Sequence, residues 1–377
     1  MFDIQTYRFS ETLAKTSVPF WQMASAHSLD FFHSSSFPVR VESMAQLAQF
    51  GDTMQEGRFQ SYMTELGGMT EAEFEAFVGA LADYVDFYQQ GFQTREVPVP
   101  YSAMISAFAI HDKIMRIHPR ATRILEIGPG CGYVSFFMAR DKRVAEYTQI
   151  EACESFYLLQ NKVNQFLYGR RFAEHAITTG GLRYPMSNHW DDVTKSRRSV
   201  IRDLPATCHH YPWWLIGDIL DRPDDAKFDV VTSNANLTEF SEKALWDYVA
   251  LARKALKPDG LIYVNCIGGG GIEAWTRAFQ ALYSSGFVAA FATHGHNESQ
   301  LALPEGTVSQ YHVTQNLVFV APGHPLYERT SKTWKWEWGY FSDEELCRAL
   351  ISNGEGRRAY SEDAVLDRLR QTLDTRR

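Results

Sequence analysis

The chain has 377 residues, enough for a core domain with substantial additions. Its formal net charge is −8, and no apolar run approaches the ~20 residues that span a bilayer, so neither a nucleic acid nor a membrane is favoured as a partner. Five cysteines are scattered without CxxC spacing, and the N-terminus has no basic segment followed by an apolar one. We therefore expect a cytoplasmic protein with reduced thiols and neither a disulfide framework nor a zinc site.

Residues 1–100 are predicted to form a helical cap without a nucleotide-binding loop. Thr70-Glu-Ala-Glu73 has the form of a capping box. An apolar stripe at helical spacing follows it and consists of Phe74, Phe77, Val78, Leu81, Tyr84, Val85 and Tyr88. The stripe indicates a helix that packs on the core or on another subunit, so a homodimer or higher homo-oligomer is one expectation. Val97-Pro-Val-Pro-Tyr101 breaks the pattern and marks a boundary.

After this boundary, strand patterns alternate with helix patterns. The predicted strands are 124–127, 147–150, 211–217, 228–233, 261–267, 287–293 and 316–320. Such alternation predicts an α/β fold with a parallel sheet covered by helices on both faces. The corresponding domain covers 101–325 and contains a long insertion at 169–210, and a C-terminal extension follows at 326–377.

The most informative stretch is Ile124-Leu-Glu-Ile-Gly-Pro-Gly-Cys-Gly-Tyr133, at the turn from the first strand to a helix. Glycines in such a turn let the backbone pass close to a ligand and adopt dihedral angles closed to other residues. The spacing is GxGxG, and Glu126 stands two residues before the first glycine. This arrangement differs from the dinucleotide fingerprint GxGxxG.

Four motifs in order resemble those of class I S-adenosylmethionine-dependent methyltransferases, over about residues 102–321. They are Glu126 to Gly132, Glu151, Gly217-Asp218, and Phe228-Asp-Val-Val-Thr-Ser-Asn234 with the later Lys257-Pro-Asp-Gly260 turn. The resemblance implies a Rossmann-like fold with a seven-stranded, mostly parallel sheet and S-adenosylmethionine as the cofactor.

The resemblance also implies a role for each motif residue. Gly128, Gly130 and Gly132 would let the backbone approach the methionine part of the cofactor. Glu151 would accept hydrogen bonds from the ribose hydroxyls, and Asp218 would meet the adenine amino group. The cofactor-binding residues implied in this way are Glu126, Gly128, Gly130, Gly132, Glu151, Asp218 and Asn234.

Methyl transfer is an in-line displacement, and a hydroxyl acceptor must also lose its proton to a base. Glu239 follows the fourth strand and is a candidate base, with Asn236 nearby as a substrate contact. His209 and His210 are further candidates, although they precede the predicted third strand and reach the cofactor end only if that strand begins later. Trp213 and Trp214, in the same segment, are candidate substrate contacts.

Three segments look similar in style to bacterial sugar O-methyltransferases: 149–160, 212–214 and 234–239. This resemblance implies a small-molecule acceptor from secondary metabolism, with methylation of a sugar or natural-product hydroxyl. Ser233-Asn-Ala-Asn236 differs from an Asn-Pro-Pro-Tyr motif, which argues against N-methylation of nucleic-acid bases.

Two alternatives remain open at this point. The first is C-methylation of a prenyl diphosphate, in which aromatic side chains stabilise a carbocation and Mg²⁺ with basic residues holds the diphosphate. It would use Arg197, Arg198 and Arg202 together with Glu174 or Glu239 as the base, and the aromatic residues at 334–340 could stack on an isoprenoid or a sugar. The second is a non-catalytic binding protein that keeps the methyltransferase fold.

Overall fold

A computed structural model describes residues 2–17, 39–52, 57–176, 207–293, 295, 297–303, 306–312, 314–330, 332, 340–341, 344–350 and 356–376. Within these ranges, no helix combines the length and the apolar character needed to cross a bilayer. The cysteines that the described ranges contain with their side chains, at positions 131, 153, 208 and 266, are free thiols.

Eleven strands lie in the described part of the chain. They are β1 (Arg123–Ile127), β2 (Glu146–Glu151), β3 (Phe172–Glu174), β4 (Cys208–Pro212), β5 (Phe228–Ser233), β6 (Leu256–Asn265), β7 (Val288–Ala292), β8 (Asn297–Leu303), β9 (Gly306–His312), β10 (Asn316–Val320) and β11 (Tyr340–Phe341). The α-helices there are α1 (Ile4–Ser17), α2 (Phe59–Glu65), α3 (Glu71–Phe92), α4 (Tyr101–Ile117), α5 (Val134–Met138), α6 (Glu154–Tyr168), α7 (Ile216–Leu220), α8 (Glu242–Ala255), α9 (Gly271–Ser284), α10 (Glu344–Leu350) and α11 (Glu362–Arg376).

Nine of the strands form one sheet in the order β11-β7-β10-β6-β5-β1-β2-β4-β3. The pairs from β6 to β3 are parallel, whereas β10 runs antiparallel to both β6 and β7. The seven strands from β7 to β4 therefore have the order of the class I methyltransferase fold, with its one reversed strand. The predicted fold is confirmed, and β3 and β11 extend the sheet at its two edges.

The predicted third strand was wrong in position. We expected it at 211–217, but β4 ends at Pro212, and a 3₁₀ turn (Trp213–Leu215) and then α7 follow. Proline cannot donate to a sheet ladder, so the pairing stops there. The apolar run after it is too short for periodicity to separate a strand from a helix.

The β8–β9 hairpin was not predicted, and it lies between the two strands expected to be consecutive. In the C-terminal extension, Tyr340 pairs with Ala292 through the backbone of β11. The three tryptophans of this extension, at 334, 336 and 338, lie outside the described residues.

The N-terminal helices pack directly on the sheet domain. Thr70 caps α3 through a capping box with Glu73, as predicted, and the apolar stripe that follows is buried. On that stripe Phe77 contacts the rings of Phe108 and Phe137, and the buried residues of both regions belong to one continuous cluster. The stripe is thus covered within a single chain.

A buried polar cluster joins the N-terminal helices to the end of the sheet where β6 finishes. The Nζ atom of Lys113 on α4 lies 2.6 Å from Oε1 of Glu65 on α2 and 3.0 Å from Oδ1 of Asn316. The Tyr263 hydroxyl also donates to this Asn316 oxygen, at 2.7 Å. The side chains of Lys113 and Glu65 are 1% and 2% exposed. Removing one partner of such a pair leaves the other charge buried and uncompensated.

We therefore expect Lys113→Met to lower the free energy of unfolding by about 3–5 kcal/mol. The double variant with Glu65→Gln should lose less than the sum of the two single variants, because no unpaired buried charge remains. Urea denaturation measures both effects, and Lys254→Met on the exposed end of α8 is the matched control. A loss below about 1 kcal/mol in Lys113→Met would show that the pair does not anchor the helices.

Candidate cofactor site

A cavity of about 140 Å³ opens at the carboxyl ends of β1 and β5. Here β1 lies between β2 and β5, so the chain connections leave it in opposite directions, and open α/β sheets bind ligands at such a point. The lining includes Glu126, Gly128 and Gly130 from the β1 side and Asn234 and Asn265 from the strands beside it. The N-terminal helices contribute Arg58, Tyr62 and Ser106.

The glycine loop adopts the left-handed backbone expected from its sequence, with φ of +66° at Gly128, +58° at Gly130 and +76° at Gly132. A Cβ at Gly128 would lie 2.2 Å from Nδ2 of Asn236, so this position has no room for a side chain. A Cβ at Gly130 would meet no atom within 4 Å. Gly130 therefore presents bare backbone to the cavity, which is what a closely approaching ligand requires.

Asn236 and Asn234 support this loop from β5. The Asn236 amide donates to the carbonyl oxygens of Ile127 and Gly128, at 2.8 and 3.1 Å. The Asn234 amide donates to Oε1 of Glu126 at 3.2 Å and accepts a hydrogen bond from the backbone of Asn265 at 3.0 Å. Asn234, predicted as a cofactor residue, lies in the cavity wall, whereas Asn236, predicted as a substrate contact, fixes the loop behind it.

Backbone strain lies beside the loop. Ala235 and Cys266 line the cavity and have φ of +60° and +66°, in the region that disfavours residues with a side chain. The backbone N–H of Ala235 donates to the Cys266 carbonyl at 2.8 Å, so the two strained residues hold each other. A residue held in this backbone conformation destabilises the fold by about 1–3 kcal/mol, and such residues cluster at functional sites.

Glu126, the carboxylic acid of the glycine motif, is 2% exposed. Burial, together with the charge of Glu151, raises the pKa of its carboxyl to about 7, against hydrogen bonds from Tyr147 and Asn234. The group is thus close to half protonated at neutral pH, and a cation placed beside it would lower its pKa.

Glu151 ends β2 and stands next to the glycine loop. Its Oε1 accepts the backbone N–H groups of Ala152 and Cys153 at 2.7 and 2.9 Å, and its Oε2 accepts the Gln160 amide at 2.9 Å. Burial raises the pKa of this carboxyl as well. The backbone of Gly130 also donates to this carboxyl group, so four donors hold Glu151 in place beside the glycine loop.

Gln160 on α6 connects the glycine loop to Glu151. Its Nε2 also donates to the Gly130 carbonyl at 2.6 Å, and its Oε1 accepts from Nε2 of His210 at 2.8 Å. Burial holds the pKa of His210 well below its usual range, so the ring is neutral and carries its proton on Nε2. His210 lies within β4, stacked on Tyr157 at 3.9 Å, and orients Gln160.

The other two acid–base candidates of this region lie elsewhere. Nδ1 of His209 lies 3.0 Å from Nε2 of His175, on the opposite face of β4 from His210. Glu174 on β3 accepts hydrogen bonds from the Tyr157 hydroxyl and, at 2.7 Å, from the backbone of Ala176. Neither His209 nor Glu174 lines the cavity.

The residues predicted to lie in the third strand or directly after it are displaced with it. Asp218 does not stand at a strand end but is buried in α7. Trp213 and Trp214 form the turn after β4 and are buried, and the Trp214 indole donates to the Ser10 hydroxyl of α1 at 3.3 Å. Arg197, Arg198 and Arg202 lie outside the described residues.

Glu239 lies in the segment that follows β5, and its backbone N–H donates to the Asn236 carbonyl at 3.0 Å. The residue is half-buried. Burial and the charge of Glu151 raise the pKa of its carboxyl to about 7. Within the described chain, no side chain forms an ion pair or hydrogen bond with this carboxyl group. Glu239 is not part of the cavity lining itself.

The N-terminal segment is tied to the start of α6, next to Glu151. The buried Glu154 carboxylate accepts hydrogen bonds from Arg8 at 2.9 and 3.0 Å and from Arg40. The backbone of Ser155 donates to the Val39 carbonyl at 3.1 Å, and the Cys131 thiol lies 3.5 Å from the Phe50 carbonyl. Residues 39–50 therefore pack against the glycine loop and the start of α6.

Several of these residues were not identified from the sequence as site residues. Tyr147 and Gln149 share one face of β2 with Glu151 by strand alternation, and this signal could have indicated the contact with Glu126. Gln160 and Arg58 carry no comparable local signal. Among the residues that the structure describes, there is also no group of three or more His, Cys, Asp or Glu side chains that could hold a metal ion.

The raised pKa of Glu126 predicts that the free energy of unfolding depends on pH. Because the folded pKa exceeds the unfolded value of 4.5, stability is greatest below that value and falls as pH rises through about 7. Glu126→Gln removes the titration, so its stability relative to wild type should increase by about 1 kcal/mol from about pH 6 to pH 8. Thermal unfolding across this range measures the effect, and the exposed Glu328→Gln is the control. A difference that does not change with pH would contradict the assignment.

The sequence matches no protein-family model and no curated protein. Solved structures similar to the chain include S-adenosylmethionine-dependent methyltransferases. The O-methyltransferase of tomaymycin synthesis from Streptomyces achromogenes, in complex with S-adenosylmethionine, is 17% identical, with 72% of this chain and 100% of that chain covered and a TM-score of 0.36.

A TehB-like S-adenosylmethionine-dependent methyltransferase from Corynebacterium glutamicum is 13% identical, covering 56% of this chain and 87% of that chain, with a TM-score of 0.32. The ribosomal protein L11 methylase of Lactobacillus delbrueckii subsp. bulgaricus is 12% identical, covering 58% and 79%, with a TM-score of 0.32. Scores this low carry no argument about activity or acceptor. The fold is instead established by the strand order of the sheet itself.

Proposed function

We propose that the chain is an S-adenosylmethionine-dependent methyltransferase that acts on a small-molecule hydroxyl. The observation that carries the proposal is the link between the glycine loop and Glu151. One side chain, Gln160, contacts both the Gly130 carbonyl and the Glu151 carboxylate, at 2.6 and 2.9 Å. A bare backbone and a ribose-binding acid at adjacent strand ends suit a nucleoside with an extended polar tail.

The charges of the site favour this cofactor over a dinucleotide phosphate. Glu126, Glu151 and Glu239 all have raised pKa values, and Glu126 and Glu239 are each raised further by the charge of Glu151. Carboxylates so arranged would repel phosphates, whereas they attract the ammonium and sulfonium groups of S-adenosylmethionine. The GxGxG spacing agrees with the same choice.

Glu239 is proposed as the general base for the acceptor hydroxyl. A base works best with a pKa near the working pH, and burial raises the pKa of Glu239 to about 7. Its position after β5 puts it at the edge of the sheet where the cofactor would bind. The remaining chemistry is positional, since the enzyme must hold the acceptor oxygen in line with the methyl group and exclude water.

The acceptor is proposed to be a sugar or natural-product hydroxyl in the cytoplasm, with residues 1–100 as a cap over it. The support is that Arg58 and Tyr62 of this segment close one side of the cavity, beside Ser106 of α4. Of the two bases named for the prenyl diphosphate alternative with Mg²⁺, only Glu239 remains, because Glu174 is bonded to Tyr157 away from the cavity.

A transfer assay with methyl-labelled S-adenosylmethionine tests the acceptor class. It offers glycosylated metabolites in one arm and prenyl diphosphates in the other, each with and without Mg²⁺. Label in a sugar hydroxyl without metal is the expected result. Metal-dependent label in a prenyl diphosphate would overturn the O-methylation proposal, and no transfer to any acceptor despite cofactor binding would favour a binding protein.

For the acceptor found in this way, Glu239→Gln should lower kcat by about 100-fold or more, since the base is lost. The limb of the pH–rate profile that rises near pH 7 should disappear, while the Kd for S-adenosylhomocysteine should stay within about twofold of wild type. Glu242→Gln, an exposed acid in the first turn of α8, is the control. A profile that keeps its rising limb would show that another group accepts the proton.

A further inference from the structure

Arg58 brings a positive charge to the wall of the cofactor cavity. It lines the same cavity as Glu126, Gly128 and Gly130, from the side formed by the N-terminal helices. Among the residues that the structure describes, no carboxylate forms an ion pair with its guanidinium. The side chain is exposed, so its charge is available to a ligand that enters the cavity.

Two neighbours fix the position of Arg58. Its backbone N–H donates to the Ser102 hydroxyl of α4 at 3.0 Å, just before α2 begins. One turn along α2, the Tyr62 hydroxyl interacts with both Arg58 and Ser106, and burial raises the pKa of that hydroxyl. The guanidinium is therefore supported by a phenol that is not ionised at neutral pH.

The far end of α2 is anchored as well. Glu65, its last residue, is held by Lys113 at 2.6 Å and by the Asn316 amide at 2.9 Å. It also accepts the backbone N–H of Thr314 at 3.2 Å, and Thr314 itself lines the cavity. A seven-residue helix fixed at both ends carries Arg58 at a constant place relative to the strand ends.

The cavity thus has an acid on one wall and a guanidinium on another. A free α-amino acid group is a zwitterion, with an ammonium and a carboxylate on one carbon atom. We propose that Arg58 binds the carboxylate at the methionine end of S-adenosylmethionine while Glu126 accepts the ammonium group. Guanidinium matches the planar carboxylate with paired N–H donors, which a lysine cannot do. This inference rests on the proposed function.

The test compares three thioether ligands that differ only in the substituent on sulfur. S-adenosylhomocysteine carries both charged groups, decarboxylated S-adenosylhomocysteine (S-adenosyl-3-thiopropylamine) lacks the carboxylate, and 5′-methylthioadenosine lacks both. Calorimetric titration of Arg58→Ala should show S-adenosylhomocysteine binding weakened by about 10-fold, and the other two ligands within about twofold of wild type. Arg58→Lys should recover part of the loss.

Arg253→Ala, an exposed arginine in the last turn of α8, is the matched control and should change none of the three affinities. Unchanged binding of 5′-methylthioadenosine by Arg58→Ala also shows that the variant is folded. Equal losses for all three ligands, or no loss for S-adenosylhomocysteine, would overturn the role of Arg58. An unchanged cofactor affinity with a raised KM for the acceptor would assign Arg58 to the acceptor instead. A wild-type protein that binds none of the ligands would refute the proposed function itself.

Discussion

The cofactor site depends on two side-chain amides that hold the glycine loop from opposite sides. Asn236 donates to the carbonyls of Ile127 and Gly128, and Gln160 donates to that of Gly130. The loop forms no regular ladder, so its buried carbonyl groups must find donors elsewhere. Gln160 also orients Glu151 and is in turn oriented by His210. The shape of the loop and the orientation of the Glu151 carboxyl group are consequently set by one hydrogen-bonded chain.

The buried carboxyl groups of the site lower the stability of the fold at neutral pH, and a bound ligand can offset this loss. Burial raises the pKa of Glu126 and of Glu239 to about 7, and Glu151 lies close enough to raise both further. The fold therefore gives up stability at neutral pH to keep these acids near one cavity, as functional sites commonly do. A ligand that carries a positive charge would offset that repulsion.

The central strands and the glycine loop could be predicted from short, local patterns in the sequence. The apolar run with Glu126 and the three glycines after it predict a strand followed by a tight turn. The apolar runs of β1, β2 and β5 predicted the bounds of these strands to within about one residue. Because parallel strands end at one edge, the motifs that follow them had to meet. Asp218 was misplaced because Pro212 ends the pairing of β4 earlier than the apolar run suggests.

The parts that escaped prediction depend on contacts between distant segments. Lys113 and Glu65 are 48 positions apart, and Gln160 and His210 are 50 apart, so no local pattern links them. Polar residues at such positions look like ordinary helix or strand surface until the packing buries them. Arg58 likewise reaches the cavity wall only through the packing of α2.

The most direct test is a calorimetric titration of the wild-type protein and of Glu151→Ala with S-adenosylhomocysteine and with NAD⁺. We expect the wild type to bind S-adenosylhomocysteine and not NAD⁺. We also expect Glu151→Ala to bind S-adenosylhomocysteine at least about 10-fold more weakly, because the ribose loses a charged acceptor. A preference for NAD⁺, or an unchanged affinity in Glu151→Ala, would show that the site does not bind the cofactor in the proposed way.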